Sequence, residues 1–213
     1  MYQAGLFSAD GREELGPGAV LLREFAASCE AELLAGVEHV CAVSPLRHME
    51  TPGGFRMSVA MTNCGDYGWV SDRSGYRYAA IDPCTNQPWP AMPDAFRDCA
   101  IRAATEAGFN CFEPDACLIN RYAIGAKLSL HQDKNEYDLS QPVVSVSLGL
   151  AATFQFGGLR REDSPQRITL THGDVVVWGG TSRLHYHGVL PLKQGSCAKL
   201  GEFRINLTFR KAK

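Results

Sequence analysis

The sequence lacks any paired cysteine motif, although it contains eight cysteines among its 213 residues. No two of them stand in C-x-x-C spacing, so neither a zinc ribbon nor a thioredoxin-like redox site is indicated. Several occupy positions where an apolar side chain would serve, such as Cys99 in a helical run and Cys117 in a strand-like one. We therefore expect most of the cysteines to be small buried hydrophobic residues, and we predict a cytoplasmic protein.

The chain also lacks an apolar stretch approaching the about 20 residues that a membrane span needs. Its N-terminus has no basic segment followed by an apolar one, so no export signal is predicted. A formal net charge of −2 gives no broad basic surface, and any contact with a nucleic acid is expected to be local. We expect one integrated domain that is monomeric and has no membrane partner.

Two helices and an insert between them are predicted for the first half of the chain. Residues 28–42 carry one apolar helical face and begin at a candidate cap, Ser28. Residues 93–107 form a second helix that Gly108 ends. The insert, residues 44–92, is punctuated by Gly and Pro and is rich in aromatic residues and arginines. It is either a β-rich extension with its own small core or a surface that stacks on bases.

From residue 116 onward the sequence divides into eight strand-like segments separated by turn residues, with no helical pattern between them. This succession is typical of two packed antiparallel sheets rather than of alternating β/α units. We predict a mostly β protein with flanking helices and a double-stranded β-helix (jelly roll) core. The predicted strands are 116–122, 126–132, 143–150, 152–156, 167–171, 174–178, 184–189 and 203–210.

A candidate metal site lies at the end of the second predicted strand. His131 and Asp133 are two residues apart, so they project to the same face with Cα atoms roughly 6.5–7 Å apart. His185 or His187 can supply a third ligand. Two histidines and one carboxylate leave coordination positions open, as in non-haem Fe(II) oxygenases. A second H-x-D pair at 172–174 is the alternative, but its central Gly favours a turn with a structural role.

The last predicted strand has a polar face that carries Arg204 and Arg210. Such alternation is either a solvated face or, in a closing barrel, an inward one. Guanidinium groups bind carboxylates bidentately, which suits a dicarboxylate. Asn120 and Tyr122 share a face of residues 116–122 and can add hydrogen bonds to the same ligand. An iron site beside two arginines therefore indicates 2-oxoglutarate as co-substrate.

Over nearly its whole length the chain resembles the AlkB family, the bacterial Fe(II)- and 2-oxoglutarate-dependent dealkylases of nucleic acids. The resemblance implies that the insert is a nucleotide-recognition lid within an N-terminal extension, 1–113, and that residues 114–213 form the dioxygenase core. The similar stretches are 51–65, 75–78, 85–93, 114–134, 144–150, 154–159, 172–180, 182–188 and 204–210.

The resemblance also implies a role for individual residues. The iron ligands are His131, Asp133 and His187, which selects His187 over His185. The residues that bind 2-oxoglutarate are Arg204, Arg210, Asn120, Tyr122 and Asn206. The base is expected to stack between His131 and Trp69. The remaining substrate contacts are Thr51, Met57, Ser58, Tyr76, Arg77, Tyr78, Asn135 and Glu136, with Lys127, Lys134 and Arg161 as phosphate contacts.

The implied activity is that of a 2-oxoglutarate-dependent dioxygenase, a DNA oxidative demethylase that uses Fe(II) and O₂. It hydroxylates the N-methyl group of 1-methyladenine or 3-methylcytosine and releases formaldehyde, succinate and CO₂. The expected partner is alkylated single-stranded DNA or RNA, with double strands left open. The alternatives are a 2-oxoglutarate oxygenase acting on a protein or small molecule, and a non-catalytic jelly roll that binds nucleic acid.

Two residues depart from the family pattern. Asn135 stands where the best-known members carry an acid, which accepts hydrogen bonds only, whereas Asn donates and accepts. We hypothesise that Asn135 weakens the preference for cationic methylated bases and changes the balance between adenine and cytosine lesions. Glu136 is expected to keep part of the negative charge. His185 stands where an apolar residue is expected, and we interpret it as a buried, hydrogen-bonded histidine rather than a spare ligand.

Overall fold

Two antiparallel sheets contribute side chains to one central cavity in the computed structural model, which describes residues 11–213. The helices are α1 (Glu30–Val43) and α2 (Asp94–Glu106). The strands are β1 (Arg12–Gly16), β2 (Ala19–Leu22), β3 (Ala60–Gly65), β4 (Gly68–Asp72), β5 (Gly75–Ala79), β6 (Ile81–Asp82), β7 (Gln87–Pro88), β8 (Ala116–Tyr122), β9 (Leu128–His131), β10 (Val143–Gly149), β11 (Ala152–Phe156), β12 (Gln166–Leu170), β13 (Val175–Trp178), β14 (His187–Val189) and β15 (Arg204–Arg210).

The larger sheet has seven strands in the order β1-β2-β13-β10-β15-β8-β3, and the smaller one has four in the order β12-β11-β14-β9. All eight predicted strands form, and the predicted fold class is confirmed. The insert supplies β3 to the larger sheet and folds otherwise into two hairpins, β4-β5 and β6-β7. The larger sheet therefore takes strands from both sides of residue 113, and the boundary proposed there stays a prediction.

Strand β15 lies in the middle of the larger sheet, between β10 and β8, and its two faces differ in chemistry. Ile205, Leu207 and Phe209 join the hydrophobic core that also holds Leu33 of α1 and Phe96 of α2. Each such side chain contributes about 1.5–3 kcal/mol when it is fully buried. Because side chains alternate along a strand, the polar residues of β15 must face the opposite way, into the cavity.

Helix α2 closely follows its prediction, and Gly108 ends it with a φ of +90°, a conformation that favours glycine. The prediction of Ser28 as a cap is wrong. Ser28 lies within a 3₁₀ turn, Ala27–Cys29, and α1 begins at Glu30 without a side-chain cap bond. Neither helix within residues 11–213 is long and apolar enough to cross a membrane.

The cysteines are free thiols, but the expectation that most of them are buried is wrong. Only Cys64, Cys99 and Cys117 are buried, and Cys84 and Cys111 are exposed. The buried three replace apolar side chains of the core. Burial, followed by the neighbouring Cys29, raises the pKa of Cys99 to about 12, so this thiol remains protonated and unreactive.

Candidate active site

A cavity of about 690 Å³ opens between the two sheets and the β4-β5 hairpin of the insert. The larger sheet contributes Asn120 and Arg204 to its wall, the smaller sheet contributes His131 and His187, and the hairpin contributes Trp69. The cavity thus contains the predicted metal ligands, the predicted co-substrate residues and part of the predicted lid.

His131, Asp133 and His187 come together although 56 positions separate the first from the last. One ligand atom from each lies within 4.8 Å of the others. The Asp133 carboxylate is 3.7 Å from His131 Nε2 and 3.6 Å from His187 Nε2. Strands β9 and β14 pair so that His131 and His187 are directly opposite each other, and the antiparallel register therefore forms the site.

Both histidines present Nε2 to the metal position. His131 Nδ1 lies 2.9 Å from the Ser129 carbonyl, and His187 Nδ1 lies 3.0 Å from the His185 carbonyl. Because a carbonyl only accepts, each Nδ1 carries the proton and each Nε2 keeps its lone pair. Burial, followed by the nearby His187, lowers the pKa of His131 to about 4, which keeps the ring neutral. This donor set fits Fe(II).

Asp133 is held as a carboxylate by Arg210. The Arg210 Nε and Nη2 groups donate to Asp133 Oδ2 at 2.9 and 2.7 Å. Burial favours the neutral acid, but Arg210 and His187 outweigh it and hold the pKa of Asp133 well below its usual range. The arginine that the resemblance assigns to 2-oxoglutarate thus also orients an iron ligand.

Arg204 is the buried cation with unmet hydrogen-bonding capacity. Its Nη2 donates to Ser147 Oγ at 2.9 Å, whereas Nε and Nη1 are buried without a partner among residues 11–213. Its guanidinium carbon lies 5.0 Å from the ring centre of Tyr122. Burial lowers the pKa of Arg204, and Tyr122 opposes that effect. A buried guanidinium with two unpaired nitrogens, Nε and Nη1, fits a carboxylate, as 2-oxoglutarate supplies.

Amides complete this wall of the cavity. Asn206 opposes Asn120 across β15 and β8, and its Nδ2 donates to Ser145 Oγ at 2.8 Å and to the Val146 carbonyl at 2.9 Å. Asn120 Oδ1 is a buried acceptor without a partner in the described chain. Unpaired buried polar atoms are uncommon in native proteins, and their concentration here indicates a polar ligand.

The predicted substrate residues divide into two groups. Nine of the residues predicted to contact base or phosphate line the cavity: Thr51, Met57, Ser58, Trp69, Tyr76, Lys127, Lys134, Asn135 and Arg161. Arg77, Tyr78 and Glu136 do not line it. Arg77 forms a two-point ion pair with Asp72, at 3.0 and 2.7 Å, across the hairpin end. Tyr78 donates its hydroxyl to Glu136 at 2.7 Å, and neither side chain is among those that line the cavity.

Trp69 and Tyr76 are the aromatic residues that the β4-β5 hairpin contributes to the cavity wall. Their rings stack with centres 5.6 Å apart and planes 15° apart. Asn63 of β3 fixes the Trp69 backbone, because its Nδ2 donates to the Trp69 carbonyl and its Oδ1 accepts from the Trp69 N–H, both at 3.0 Å. The guanidinium carbon of Arg161 lies 5.1 Å from the centre of the Tyr186 ring. Sequence reasoning missed Asn63, whose position in a buried strand gives no signal of its role.

Two other histidines considered in the sequence analysis, His185 and His172, lie outside the cluster of metal ligands. His185 precedes β14 and packs on Phe156 with ring centres 5.3 Å apart, and it does not belong to the group of three clustered ligands. The residue is half-buried rather than buried as predicted, and its Nδ1 has no hydrogen-bond partner within the described residues. His172 accepts from the Gly149 N–H at 2.9 Å and contacts Glu30 through Nε2. Asp174 is fully buried and accepts from Thr171, which confirms its role in a turn.

Comparison with known proteins agrees with the iron and 2-oxoglutarate residues described above. A family model of the 2OG-Fe(II) oxygenase superfamily matches residues 18–210. The alpha-ketoglutarate-dependent dioxygenase AlkB of Salmonella typhimurium is 61% identical over 204 residues, which cover 96% of this chain and 94% of that protein. The DNA N(6)-methyladenine demethylase ALKBH1C of Arabidopsis thaliana is 41% identical over 173 residues, which cover 69% of this chain and 38% of the plant protein.

A solved structure shares the architecture. OsALKBH1 superposes with a TM-score of 0.80 at 28% identity, covering 94% of this chain and 99% of that one. The match extends beyond the ligand-bearing strands to nearly the whole chain. The chain therefore belongs to the 2OG-Fe(II) oxygenase superfamily and, within it, to the AlkB family of dioxygenases, enzymes that use Fe(II), 2-oxoglutarate and O₂.

Proposed function

We propose that this enzyme removes N-methyl groups oxidatively from alkylated bases of nucleic acids, with 1-methyladenine and 3-methylcytosine as its lesions. The observation that carries the proposal is the shared cavity, in which the iron ligands and the unpaired Arg204 lie on the sheet walls and Trp69 and Tyr76 lie on the insert. The names of the relatives support it, since one is AlkB and another is a DNA demethylase.

The residues of the chain have separable tasks in this reaction. Bound Fe(II), with 2-oxoglutarate and O₂, supplies the oxidant that hydroxylates the methyl carbon while 2-oxoglutarate becomes succinate and CO₂. His131, Asp133 and His187 hold the metal, and Arg204 pairs with a carboxylate of the co-substrate. The hydroxymethyl group then leaves the ring nitrogen as formaldehyde, which restores the base.

Recognition of the base rests on stacking. Trp69 and His131 line the same cavity, and a flat base between them gains stacking of about 1–3 kcal/mol per base. A methylated Watson–Crick edge does not pair, so the lesion costs less to extrude than a normal base. Lys127, Lys134 and Arg161 supply local positive charge for phosphates, which suits a short single-stranded stretch of DNA or RNA.

We also propose that the enzyme is a monomer located in the cytoplasm. The eight free thiols support a reducing compartment, because exposed thiols such as Cys84 and Cys111 persist where disulfides do not form.

The deciding experiment measures formaldehyde released from a 1-methyladenine oligonucleotide with Fe(II), 2-oxoglutarate and ascorbate. We expect formaldehyde from the wild type and from the control His185→Ala, and loss of both iron affinity and turnover in His187→Ala. An enzyme that binds iron and converts 2-oxoglutarate without formaldehyde acts on another substrate class. If His187→Ala keeps half of the iron affinity and turnover, the ligand assignment is wrong.

A further inference from the structure

Five side chains form a connected network beside the metal position. The members are Tyr78, Asp133, Glu136, Arg183 and Arg210, and they are called the Glu136 network below. Tyr78 belongs to β5 of the insert, whereas the other four lie in the part of the chain after residue 113. The four charged members are each at most 9% exposed. The network therefore joins the lid to an iron ligand through buried polar contacts.

Glu136 stands at the centre of the network with both carboxylate oxygens engaged. Its Oε1 accepts the Tyr78 hydroxyl at 2.7 Å and lies 3.5 Å from Arg210 Nε. Its Oε2 accepts from Arg183 Nη2 at 3.1 Å. Burial and the negative charges of Glu136 and Asp133 keep the pKa of Tyr78 well above its usual range, so the phenol remains a donor.

Arg183 uses three separate N–H groups. Its Nη1 donates to the main-chain carbonyl of Asp133 at 2.7 Å, and its Nε donates to the Gln141 carbonyl at 2.8 Å. Its Nη2 donates to Glu136. Asp133 is thus held at its backbone by Arg183 and at its carboxylate by Arg210, and both arginines contact Glu136.

The charges of the network balance, because the carboxylates of Asp133 and Glu136 face the guanidinium groups of Arg183 and Arg210. Buried charges are tolerated when each is paired and hydrogen-bonded, and removal of one partner leaves another uncompensated. Neutralising Glu136 removes the paired carboxylate of Arg183 and one of the two carboxylates beside Arg210. Arg210 is the residue that holds the Asp133 carboxylate, which must also reach the metal.

We propose that Glu136 is a positioning residue, which fixes the Asp133 carboxylate for iron and anchors β5 of the insert beside it, and that it is not a substrate contact. Its oxygens are already occupied by three groups of the protein, and it does not line the cavity. The activity measurements below rest on the proposed function, whereas the metal-affinity measurements stand without it.

The test compares Fe(II) affinity in Glu136→Gln, Tyr78→Phe and wild type, measured anaerobically without substrate. Quenching of tryptophan fluorescence is a suitable signal because the Trp178 ring lies 4.8 Å from the His187 ring. Loss of a group that orients a metal ligand typically weakens metal affinity about 10- to 100-fold, and we expect this for Glu136→Gln. Tyr78→Phe, which loses one hydrogen bond, is expected to weaken it about two- to tenfold.

Matched controls remove the same groups outside the network. Asp138→Asn removes an exposed carboxylate two positions away, and Tyr137→Phe removes the hydroxyl of a tyrosine that is 79% exposed. Both are expected to bind Fe(II) as the wild type does. Arg183→Lys keeps the charge but loses the fork of three donors, and its effect should not add to that of Glu136→Gln in the double variant.

Two results would overturn the proposal. Wild-type Fe(II) affinity in Glu136→Gln, with a raised KM for the methylated oligonucleotide, makes Glu136 a base contact as the family resemblance implies. Full additivity of Glu136→Gln and Arg183→Lys shows that they do not act through one network. If the wild type releases no formaldehyde while the affinities change as expected, the proposed function fails and the positioning role remains.

Discussion

The Arg204 guanidinium combines burial, positive charge and two nitrogens, Nε and Nη1, that donate to no described residue. An unpaired buried charge is costly, and the site therefore gains most from a ligand that brings an anion to this position. Arg210 differs, because two of its nitrogens are already bonded to Asp133. Among the two arginines of β15, Arg204 is thus expected to contribute more to 2-oxoglutarate affinity.

Arg204→Lys keeps a positive charge but cannot form two parallel hydrogen bonds to a carboxylate. Loss of a charge-assisted hydrogen bond of about 1.5–3 kcal/mol predicts a KM for 2-oxoglutarate that is about 10- to 100-fold higher. The KM for the oligonucleotide should change little. Arg121→Lys, on the exposed side of β8, is the matched control. An unchanged 2-oxoglutarate KM in Arg204→Lys would place the co-substrate elsewhere.

Asn135 remains the residue most expected to distinguish this enzyme in lesion preference. It lines the cavity and is exposed, whereas the charge of Glu136 beside it is used by Arg183 and Tyr78. The expectation that Glu136 supplies negative charge to the base is therefore not supported by its position. At the point where Asn135 faces the cavity, an amide stands where the family resemblance implies an acid.

Asn135→Asp places a carboxylate at the cavity wall and should favour bases that are cationic when methylated. For an exposed charge interaction worth up to about 1 kcal/mol, the ratio of kcat/KM for 1-methyladenine to that for 3-methylcytosine should change about two- to fivefold. Parallel assays with the two lesions in one sequence context measure it, with Asp138→Asn as the charge control. Equal ratios in Asn135→Asp and wild type would refute the hypothesis.

At the scale of elements, one side chain of the larger sheet helps to hold the β4-β5 hairpin in position. Asn63 of β3 is 1% exposed. It forms two hydrogen bonds with the backbone of Trp69, which lies in β4, the first strand of that hairpin. This pair of bonds imitates the pairing of two strands and fixes the ring that faces the cavity. The hairpin is thus joined to the sheet that carries Asn120 and Arg204.

Asn63→Asp keeps the acceptor for the Trp69 N–H and replaces the donor with a second acceptor against the Trp69 carbonyl. We expect a stability loss of about 1–3 kcal/mol, because buried polar groups lose their partner. The KM for the oligonucleotide should rise while the KM for 2-oxoglutarate stays unchanged. Asn86→Asp, at an exposed turn of the insert, is the control. Equal oligonucleotide KM values would exclude this role for Asn63.

Elements with a clear local period were predictable from the sequence. Of the short apolar runs without one, β13 was predicted and β2 was not. The alternation over residues 203–210 predicted two faces of β15, because side chains of a strand alternate strictly. The run Ala19–Leu22 is buried at every position and shows no alternation, so β2 escaped prediction. Ser28 failed as a cap because the chain forms a 3₁₀ turn before α1.

At the scale of the whole molecule, the order of the strands determines which distant residues meet. Pairing of β9 with β14 brings His131 opposite His187, and pairing of β8 with β15 brings Asn120 opposite Asn206. The residue types of the site were predictable from spacing and from the family resemblance. The contacts of Arg210 and Glu136 were not, because they depend on packing between segments far apart in the chain.

The central claim is that one cavity couples 2-oxoglutarate oxidation to removal of a methyl group from a base. Its most direct test measures succinate and formaldehyde together, with paired oligonucleotides that carry 1-methyladenine or unmodified adenine at one position. We expect equal amounts of succinate and formaldehyde with the methylated strand, and little of either with the unmodified one. Succinate formed equally with both strands, without formaldehyde, would contradict it.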